Sequence, residues 1–502
     1  MWDDDLVICN NPSIRDMSLD GLRRMFSDVD SMMRYNPLTL LSWSITYHFW
    51  KLNPFWFHLG NWLLHGLNAA LMFLVLRKLL VLGLAARDKA DVDQWRITVS
   101  ASLAALLWSL HPLRVEPVAW CTDRAYCQSL FFLLLSLSSY LHAGESAAGT
   151  RRRCLLLAAS VTLYILSILS HAIGITFFLV LPVLDVYPLR KLGGSMGWWE
   201  SPSARRTLLE KLPFAAAAGA VALVSVHIRV ASAGVWAKPL SLAQFGLFER
   251  VMQAMYIWAY YLWRPLYPIK LSPLYTTLIT FDPLSPAFVG SAIFIVGMIA
   301  LLISLRRRWP LGLQLALCHL ALLVPVLGVF EHPHYPCDRY SLIVSASWSV
   351  LLAAWLADPG TRTLLRNGAV VLSFIVIGTL GLMTFRQTCI WNDSVSLFEH
   401  MILTLGDDPQ SIDPHCRLGA FLARQGQADK AIRHFEHAVE LNPGCADAHL
   451  FLAQLLAGQK RYDEAIAEYR KALKIDPGRA QAAHSLRRVL GKHQESSDYL
   501  VR

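Results

Sequence analysis

The nine cysteines of this chain include no C-x-x-C pair, and only 16% of the 502 residues are charged. Without closely paired cysteines, neither a zinc site nor a disulfide framework is implied, and a bridge between the near neighbours Cys121 and Cys127 is not favoured. Acidic residues begin at the third position, where a cleavable signal peptide would have a basic stretch and an apolar run, so no such peptide is predicted.

The scarcity of charge accompanies an excess of apolar residues. Hydrophobic residues make up 55% of the chain and its mean hydropathy is +0.39. Such a chain is too apolar for an ordinary soluble protein and too polar to lie wholly in lipid, which predicts two parts. The net charge of +10 is best explained by cytoplasmic loops of a membrane protein, so no nucleic-acid partner is expected.

A membrane-spanning helix needs about twenty apolar residues. Candidate segments of this kind lie at 55–82, 95–112, 125–143, 152–170, 172–189, 212–232, 249–268, 286–305, 311–330, 339–357 and 366–386. From Trp391 onward the sequence is typical of soluble amphipathic helices. The predicted fold is therefore all-α: an external acidic loop region at 1–54, a multi-spanning membrane bundle at 55–390 and an external helical domain at 391–502.

Clusters of arginine and lysine predict the cytoplasmic loops. They occur at 77–89, 151–153, 190–206, 306–308 and 362–366. Counting spans between them places residues 1–54, 111–124, 331–338 and everything after Arg386 on the external side. The segment 249–268, rich in tyrosine and tryptophan, is predicted to lie in the interface. An external N-terminus also suggests a further helix upstream, because no apolar segment precedes residues 1–54.

A period of 34 residues organises the C-terminal part. Pro409, Pro443 and Pro477 follow this step, and so do other pairs: Leu418 and Leu452, Ala431 and Ala465, Phe435 and Tyr469, Ala438 and Ala472. The period, with small residues at helix crossings, indicates tetratricopeptide repeats. Such a solenoid presents a groove for an extended acceptor peptide, or alternatively serves packing and oligomerisation.

Three consecutive carboxylates, Asp3, Asp4 and Asp5, open the chain on the predicted external side. Adjacent carboxylates repel one another, so one tends to hold a proton or to recruit a cation. This property suits a general base or a ligand for a divalent metal ion. The alternative is a solvated acidic terminus.

His58, Asn61 and His65 are spaced so that they share one face of a predicted membrane helix. Polar side chains in lipid are costly, so they face either a cavity or a hydrogen-bonding partner helix. Both interpretations stay open.

The loop 111–124 brings together two acids, two arginines and a histidine between two spans: His111, Arg114, Glu116, Asp123 and Arg124. Arginine binds phosphate through its fork of donors, so this loop is a candidate site for a lipid-linked phosphate. Asp338, Arg339 and Tyr340, after the turn 331–334, add a further acid and arginine on the same side. The alternative is an ion-pair network that only fixes the loop.

Taken together, these stretches resemble the transmembrane and tetratricopeptide-repeat-containing O-mannosyltransferase family and its bacterial relatives, of the GT-C class. The segments that carry the resemblance are Trp2-Asp3-Asp4 with Asn11-Pro12, Tyr35 to Ser42, Phe57 to Asn61 with His65, His111 to Trp120, Gly174 to Asp185, Arg386 with Trp391 and Leu397-Phe398, and the repeats. The chain departs from the family pattern at Ala125-Tyr126 and His171-Ala172.

The resemblance implies inverting transfer of a hexose from a polyprenyl-phosphate donor to Ser or Thr hydroxyls of proteins. It assigns the general base to Asp4, with Asp3 orienting it, and the donor phosphate to Arg114, Arg124, Arg339 and Tyr340. It also implies a cavity lined or ordered by His58, Asn61, His65, His111 and Glu116.

The expected partners are this lipid-linked sugar donor, membrane lipid and an acceptor polypeptide bound by the repeats. The expected location is a bacterial inner membrane with periplasmic repeats, or an endoplasmic reticulum membrane with lumenal ones. The alternative function is a catalytically silent membrane scaffold whose repeats recruit a partner. A transporter is less favoured, because matching broken helices in the two halves are not evident.

Overall fold

The structure is a computed structural model, and it describes residues 3–29, 34–85, 93–193, 197–231, 240–275, 278, 281–329 and 336–500. Within these residues every regular element is helical and no strand occurs, which confirms the all-α prediction. The chain divides into two compact units: residues 1–271 with 278–388, and residues 272–277 with 389–502.

The first unit contains a succession of helices. They are α1 (Leu19–Ser27), α2 (Pro37–Trp50), α3 (Pro54–Ala85), α4 (Gln94–Ser109), α5 (Val115–Ala119), α6 (Arg124–Glu145), α7 (Arg151–Ser170), α8 (Val180–Val186), α9 (Pro202–Leu209), α10 (Leu212–Ala231), α11 (Leu247–Trp263), α12 (Pro286–Ser304), α13 (Pro310–Leu323), α14 (Ser341–Val344), α15 (Ala346–Ala357) and α16 (Thr363–Ile390). Shorter 3-10 or π turns lie at 5–9, 12–15, 112–114, 121–123, 172–179, 198–200, 264–266, 324–326 and 338–340.

Five helices among the described residues are long and apolar enough to cross a membrane. They cover 54–85, 151–170, 202–230, 286–304 and 363–390. The pair α14 and α15 adds a sixth if it is counted as one span bent by 43°. Predicted spans at 172–189 and 311–330 are shorter apolar helices, because each contains a 3-10 segment that interrupts the α-helix.

The N-terminal region is folded rather than extended. Asn11 and Ser18 cap its first helical turns through Ser13 N and Gly21 N. A separate apolar cluster then fixes this region against the start of α3 and against Cys121. Its buried members are Ile8, Ile14, Met25, Leu40, Trp43, Phe57 and Cys121.

Serine residues hold α6 against α7. The hydroxyls of Ser136 and Ser160 each donate to the backbone oxygen of the other, both at 2.8 Å. Ser167 donates to the backbone oxygen of Ser129 at 2.8 Å, and the two hydroxyls lie 3.0 Å apart. Small hydroxyl residues allow close helix approach and satisfy one another away from water.

Arg124, the first residue of α6, joins three helices. Its guanidinium donates to Asn61 Oδ1 at 3.0 Å, to Thr46 Oγ1 at 2.9 Å and to the backbone oxygen of Phe57 at 2.8 Å. The guanidinium occupies space beside Gly60, where an added Cβ would lie 2.9 Å from Nη2. Helix α3 therefore needs glycine at this position.

The second unit is a stack of antiparallel helix pairs. Its helices are α17 (Ser394–Leu405), α18 (Ile412–Arg424), α19 (Ala428–Leu441), α20 (Ala446–Gly458), α21 (Tyr462–Ile475) and α22 (Ala480–Leu500). Asp393 caps α17 through the Ser396 backbone N–H.

Residues 34 positions apart occupy equivalent places in the stack. Phe435 and Tyr469 are both buried, and so are Leu418 and Leu452. Polar contacts repeat as well: His415 Nδ1 lies 3.0 Å from His434 Nδ1, and 34 residues later His449 Nδ1 lies 2.5 Å from Glu468 Oε2. The 34-residue period is therefore a structural repeat, as predicted.

Gly60→Ala should destabilise the first unit, because the new methyl group displaces the Arg124 guanidinium from its acceptors. We expect a loss of roughly 1–3 kcal/mol, measured as a lower thermal unfolding midpoint of the chain in detergent. Gly66→Ala in the same helix is the matched control, since no atom lies within 4 Å of its added Cβ. Equal midpoints for both variants would contradict the proposed role of Gly60.

Candidate active site

Asp4 is buried and is bound to the loop between α4 and α6. Its Oδ1 accepts a hydrogen bond from the Thr122 backbone N–H at 3.0 Å and another from Thr122 Oγ1 at 2.8 Å. Of the three consecutive acids, Asp3 is half-buried and Asp5 is exposed. The structure thus brings Asp4 to loop 111–124, and the predicted external location of both stays a prediction.

The Asp3 backbone oxygen begins the turn that buries Asp4. It accepts hydrogen bonds from Leu6 N at 3.1 Å and from Val7 N at 2.9 Å. Asp5 Oδ1 accepts only a local bond from the next residue, Leu6. Neighbouring acids in the sequence therefore have different surroundings.

The polar face of α3 supports the same loop from behind. Asn61 Nδ2 donates to the backbone oxygens of Val118 at 3.2 Å and Trp120 at 2.9 Å. His65 Nε2 lies 3.0 Å from the backbone oxygen of Ser109. For Asn61 and His65, these contacts match the interhelical hydrogen-bond interpretation.

His58 lies closer to the acids. Its ring contacts Cys121 Sγ at 3.4 Å, and its electrostatic environment includes Asp4. Cys121 and Cys127 do not pair: Cys127 Sγ instead donates to the backbone oxygen of Pro117 at 3.2 Å. His58 is thus the α3 histidine placed beside the candidate base.

His111 and Arg114 fix the first half of the loop. His111 Nδ1 accepts from Leu113 N at 3.2 Å and caps the 3-10 turn at 112–114, while Nε2 lies 2.9 Å from the backbone oxygen of Pro265. Arg114 is almost fully buried and donates to the hydroxyls of Ser341 and Ser345. These contacts tie the loop to α14.

Glu116 and Arg339 form a buried ion pair across the site. Arg339 Nη1 pairs with Glu116 Oε1, and the Arg339 backbone N–H donates to Glu116 Oε2 at 3.2 Å. The Arg339 guanidinium also lies 5.3 Å from the ring centroids of Trp120 and Tyr340. Its Nε has no hydrogen-bond partner among the described residues, which leaves one N–H for an anionic ligand.

Asp123 is a buried acid with an oxygen, Oδ2, that has no hydrogen-bond partner within the described part of the chain. Burial raises the pKa of Asp123 well above its usual range, although the positive charge of Arg339 opposes the shift. The negative charges of Glu116 and Asp4 raise this pKa further, and Arg34 lowers it. The Asp123 side chain therefore favours the protonated form and can donate a hydrogen bond.

The two places where the chain departs from the family pattern meet in the structure. The Tyr126 ring centroid lies 4.1 Å from that of His171 and 6.1 Å from that of Tyr340. Both Tyr126 and His171 come within electrostatic range of Arg339 and Arg34. An aromatic wall therefore borders the cations of the site.

Thr122 and Arg34 join this site without having been singled out in the sequence, whereas Asp123 was named as part of the charge-rich loop but was given no role of its own. Thr122 carries no charge, so the sequence pattern gives it no signal. Arg34 directly precedes Tyr35, the first residue of a segment that resembles the family, and could have been included. Trp2 and the turn 331–334 lie outside the described residues.

Metal ligation gains no support from geometry. Among the described residues, no group of three His, Cys, Asp or Glu side chains is placed to hold a metal ion. The suggested metal site at Asp3 and Asp4 stays a prediction.

This chain is similar in sequence to known proteins along most of its length. The family model described as "Tetratricopeptide repeat" matches residues 422–480. Protein O-mannosyl-transferase TMTC1 of Homo sapiens is 23% identical over 493 residues, covering 88% of this chain and 52% of that protein.

Two further relatives carry the same description. Protein O-mannosyl-transferase F38B6.6 of Caenorhabditis elegans is 23% identical over 459 residues, covering 88% of this chain and 60% of its own length. Protein O-mannosyl-transferase TMTC4 of Mus musculus is 30% identical over 204 residues, covering 38% of this chain and 27% of its own length. The chain thus spans about half the length of the first of these relatives.

Glu116→Gln and Asp123→Asn should differ in their effect on stability. Glu116→Gln leaves the Arg339 cation buried without its partner charge, and we expect a loss of about 3–5 kcal/mol. Asp123→Asn replaces a protonated carboxyl group with a neutral group of the same shape, so the loss should stay below about 1 kcal/mol. Thermal unfolding in detergent measures both, and an Asp123→Asn loss as large as that of Glu116→Gln would contradict this assignment.

Proposed function

We propose that this chain, which is similar to protein O-mannosyl-transferases, is a membrane enzyme that transfers a hexose, mannose-like, to Ser or Thr hydroxyls of proteins. The donor is a polyprenyl-phosphate sugar and the transfer inverts the anomeric centre. The proposal rests on the buried Asp4 carboxylate, which is held by Thr122 of loop 111–124. The same loop contains Glu116, the ion-pair partner of Arg339. The names of the relatives support the reaction class.

The proposed reaction is a single displacement. An acceptor hydroxyl attacks the anomeric carbon, Asp4 takes the hydroxyl proton, and the bond from that carbon to the phosphate oxygen breaks. Thr122 would hold the Asp4 carboxylate in one orientation, which a base needs to meet its proton. Asp3 would set the turn that buries Asp4.

Polyprenyl phosphate leaves with negative charge, which fixed cations and donors in a dry site stabilise. Arg339 suits this role because its Nε has no hydrogen-bond partner within the described part of the chain, while its Nη1 pairs with Glu116. Tyr340 and a protonated Asp123 would add hydrogen-bond donors. For Arg114 and Arg124 the predicted phosphate contact stays a prediction, and their bonds within the protein support a positioning role.

The repeats would hold the acceptor polypeptide on the external side of the membrane, in an endoplasmic reticulum lumen or a bacterial periplasm. Several helices of the first unit are long and apolar enough for a membrane. Clusters of basic residues, such as 151–153, support a cytoplasmic placement of the loops that contain them.

Asp4→Asn should reduce sugar transfer by purified protein at least 1,000-fold, on the order expected for loss of an essential base. An amide oxygen can still accept both bonds from Thr122, so expression and the unfolding midpoint should be retained. Transfer is measured with a radiolabelled polyprenyl-phosphate mannose and an acceptor peptide. Asp5→Asn is the matched control, because Asp5 is the exposed neighbour and should keep full activity.

Full activity of Asp4→Asn would remove Asp4 as the base.

A catalytically silent scaffold is the alternative function. It would be favoured if the wild-type chain bound no lipid-linked donor while deletion of residues 391–502 alone reproduced the complete loss of function in cells.

Single-cysteine chains should report the sidedness of the membrane. Cys9 in the N-terminal region and an engineered Glu440→Cys in the exposed face of α19 should react with an impermeant maleimide added to the external side. Cys154, beside the basic cluster 151–153, should react only after permeabilisation. Labelling of Cys9 and residue 440 from opposite sides would make the shared site impossible.

A further inference from the structure

An apolar cavity of about 370 Å³ lies inside the first unit. Five parts of the chain form its wall: α3, α6, the segment 177–188, α13 with the residue before it, and α14 together with α15. Most of the lining side chains are apolar, such as Leu80, Leu134 and Val350. A cavity of this volume and lining accepts apolar ligands rather than water.

The cavity lies along the same helices as the candidate site but farther from the site loop. Asn61 of α3 contacts loop 111–124, whereas the lining residues of this helix lie at 76–84. Helix α6 begins at Arg124, and its lining residues lie at 130–137. The cavity therefore extends toward the helix ends that are opposite the candidate site.

The mouth of the cavity is at this far end. Trp309 and Trp355 line the cavity and are 38% and 45% exposed. Leu130, Phe177 and Ile343 line the part nearer to the candidate site and are at most 3% exposed. The accessible opening is therefore beside the two tryptophans, a residue type that is typical of the membrane–water interface.

Three consecutive arginines adjoin the mouth. Arg306, Arg307 and Arg308 directly precede Trp309, and all three are exposed. The Arg306 guanidinium donates to the backbone oxygen of Ile303 at 2.8 Å. Within the described part of the chain, the side chains of Arg307 and Arg308 have no hydrogen bond or ion pair, so both cations are available to a ligand.

A further guanidinium lies at the rim. Arg96 Nε donates to the backbone oxygen of Leu356 at 3.2 Å, and its Nη2 donates to that of Asp358. Of the described lining residues, only Asp358 is charged, and its Oδ1 accepts from the Gly360 backbone N–H at 3.0 Å. Arg96 and the cluster 306–308 thus supply four cations against this one acid, which favours an anionic ligand group.

We propose that this cavity holds one acyl chain of an anionic phospholipid, and that Arg307 and Arg308 bind the phosphate of its head group. The chain enters beside Trp309 and fills the apolar lining, while the head group stays at the basic end of the helices. Basic pockets between membrane helices are known to bind anionic head groups on the cytoplasmic side, where the cluster 306–308 is predicted to lie.

The position of the mouth favours this occupant over the lipid-linked sugar donor. The donor phosphate is proposed to lie at Arg339, whereas the cavity opens at the other end and is closed by buried side chains toward the candidate site. The proposal uses no residue of that site, so it stands apart from the proposed sugar transfer.

Native mass spectrometry of the purified full chain in detergent tests the site. The protein is titrated with phosphatidylglycerol, phosphatidylcholine or glycerol 3-phosphate, and the bound fraction is measured. We expect phosphatidylglycerol to bind about tenfold or more tightly than phosphatidylcholine, because only its head group carries a net negative charge. Lysophosphatidylglycerol should bind as well as phosphatidylglycerol, since one chain fills the cavity, and glycerol 3-phosphate should not bind.

Removal of the two arginines tests the phosphate contact. The double variant Arg307→Gln and Arg308→Gln should weaken phosphatidylglycerol binding by roughly 30-fold, and it should keep the fold because both side chains are exposed. Arg151→Gln with Arg152→Gln is the matched control, because it removes two exposed arginines from another basic cluster. Equal weakening by the two double variants would mean non-specific attraction of lipid and would overturn the proposal.

A larger side chain in the cavity tests the position of the acyl chain. Ala354 lines the cavity, so Ala354→Phe should abolish phosphatidylglycerol binding. Ala300→Phe, on the exposed surface of α12, adds the same side chain elsewhere and should leave binding unchanged. Unfolding midpoints in detergent check both folds, and the arginine variants and the lysophospholipid decide the matter if Ala354→Phe does not fold.

Three results would overturn the proposal: equal affinity for phosphatidylcholine and phosphatidylglycerol, unchanged binding by a folded Ala354→Phe protein, or displacement of phosphatidylglycerol by polyprenyl phosphate. The last result would assign the cavity to the donor. Asp4→Asn should lose sugar transfer and keep phosphatidylglycerol binding, so failure of one proposal is distinguishable from failure of the other.

Discussion

The buried guanidinium of Arg124 is the constraint on which the candidate site depends. A cation away from water is costly unless its N–H groups are satisfied. Here the acceptors come from α2 and α3, including Thr46, Asn61 and the backbone of Phe57. These elements must be in place together for the charge to be tolerated.

The position of Arg124 also determines the position of the neighbouring loop residues that contact Asp4, the proposed base. Arg124 directly follows Thr122 and Asp123 in the sequence, so fixing α6 at its first residue fixes the residue that binds Asp4. Asn61 contributes twice, because its oxygen accepts from Arg124 while its nitrogen donates to the backbone at Val118 and Trp120. The positions of a base, its hydrogen-bond donor and the surrounding loop are thus coupled through neutral amide and hydroxyl groups.

Sequence patterns predicted those parts of the structure that arise from local repetition or from the cost of charge in lipid. The 34-residue step predicted the repeat stack, since each repeat packs only on its neighbours. The contact of Asp4 with Thr122 joins two segments that the charge pattern had assigned to the same side of a membrane, and that assignment stays a prediction. Hydropathy did not predict the break between α14 and α15 or the 3-10 segment at 172–179, because it measures composition and contains no backbone geometry.

The roles of individual arginines were beyond the reach of the sequence. Arg114, Arg124 and Arg339 have the same chemistry and similar locations along the predicted topology. They differ in the acceptors that distant helices bring to them, such as Ser341 and Ser345 for Arg114 and Glu116 for Arg339. Thr122 was missed for the same reason, since its importance comes from Asp4, 118 positions away.

The serine contacts between α6 and α7 have a consequence for the independence of these two helices. Reciprocal hydroxyl-to-backbone bonds join Ser136 with Ser160, and Ser167 donates to the backbone oxygen of Ser129. Separation of the two helices would leave these hydroxyls without their acceptors on the adjacent helix. Displacement of either helix should therefore weaken the packing of the other.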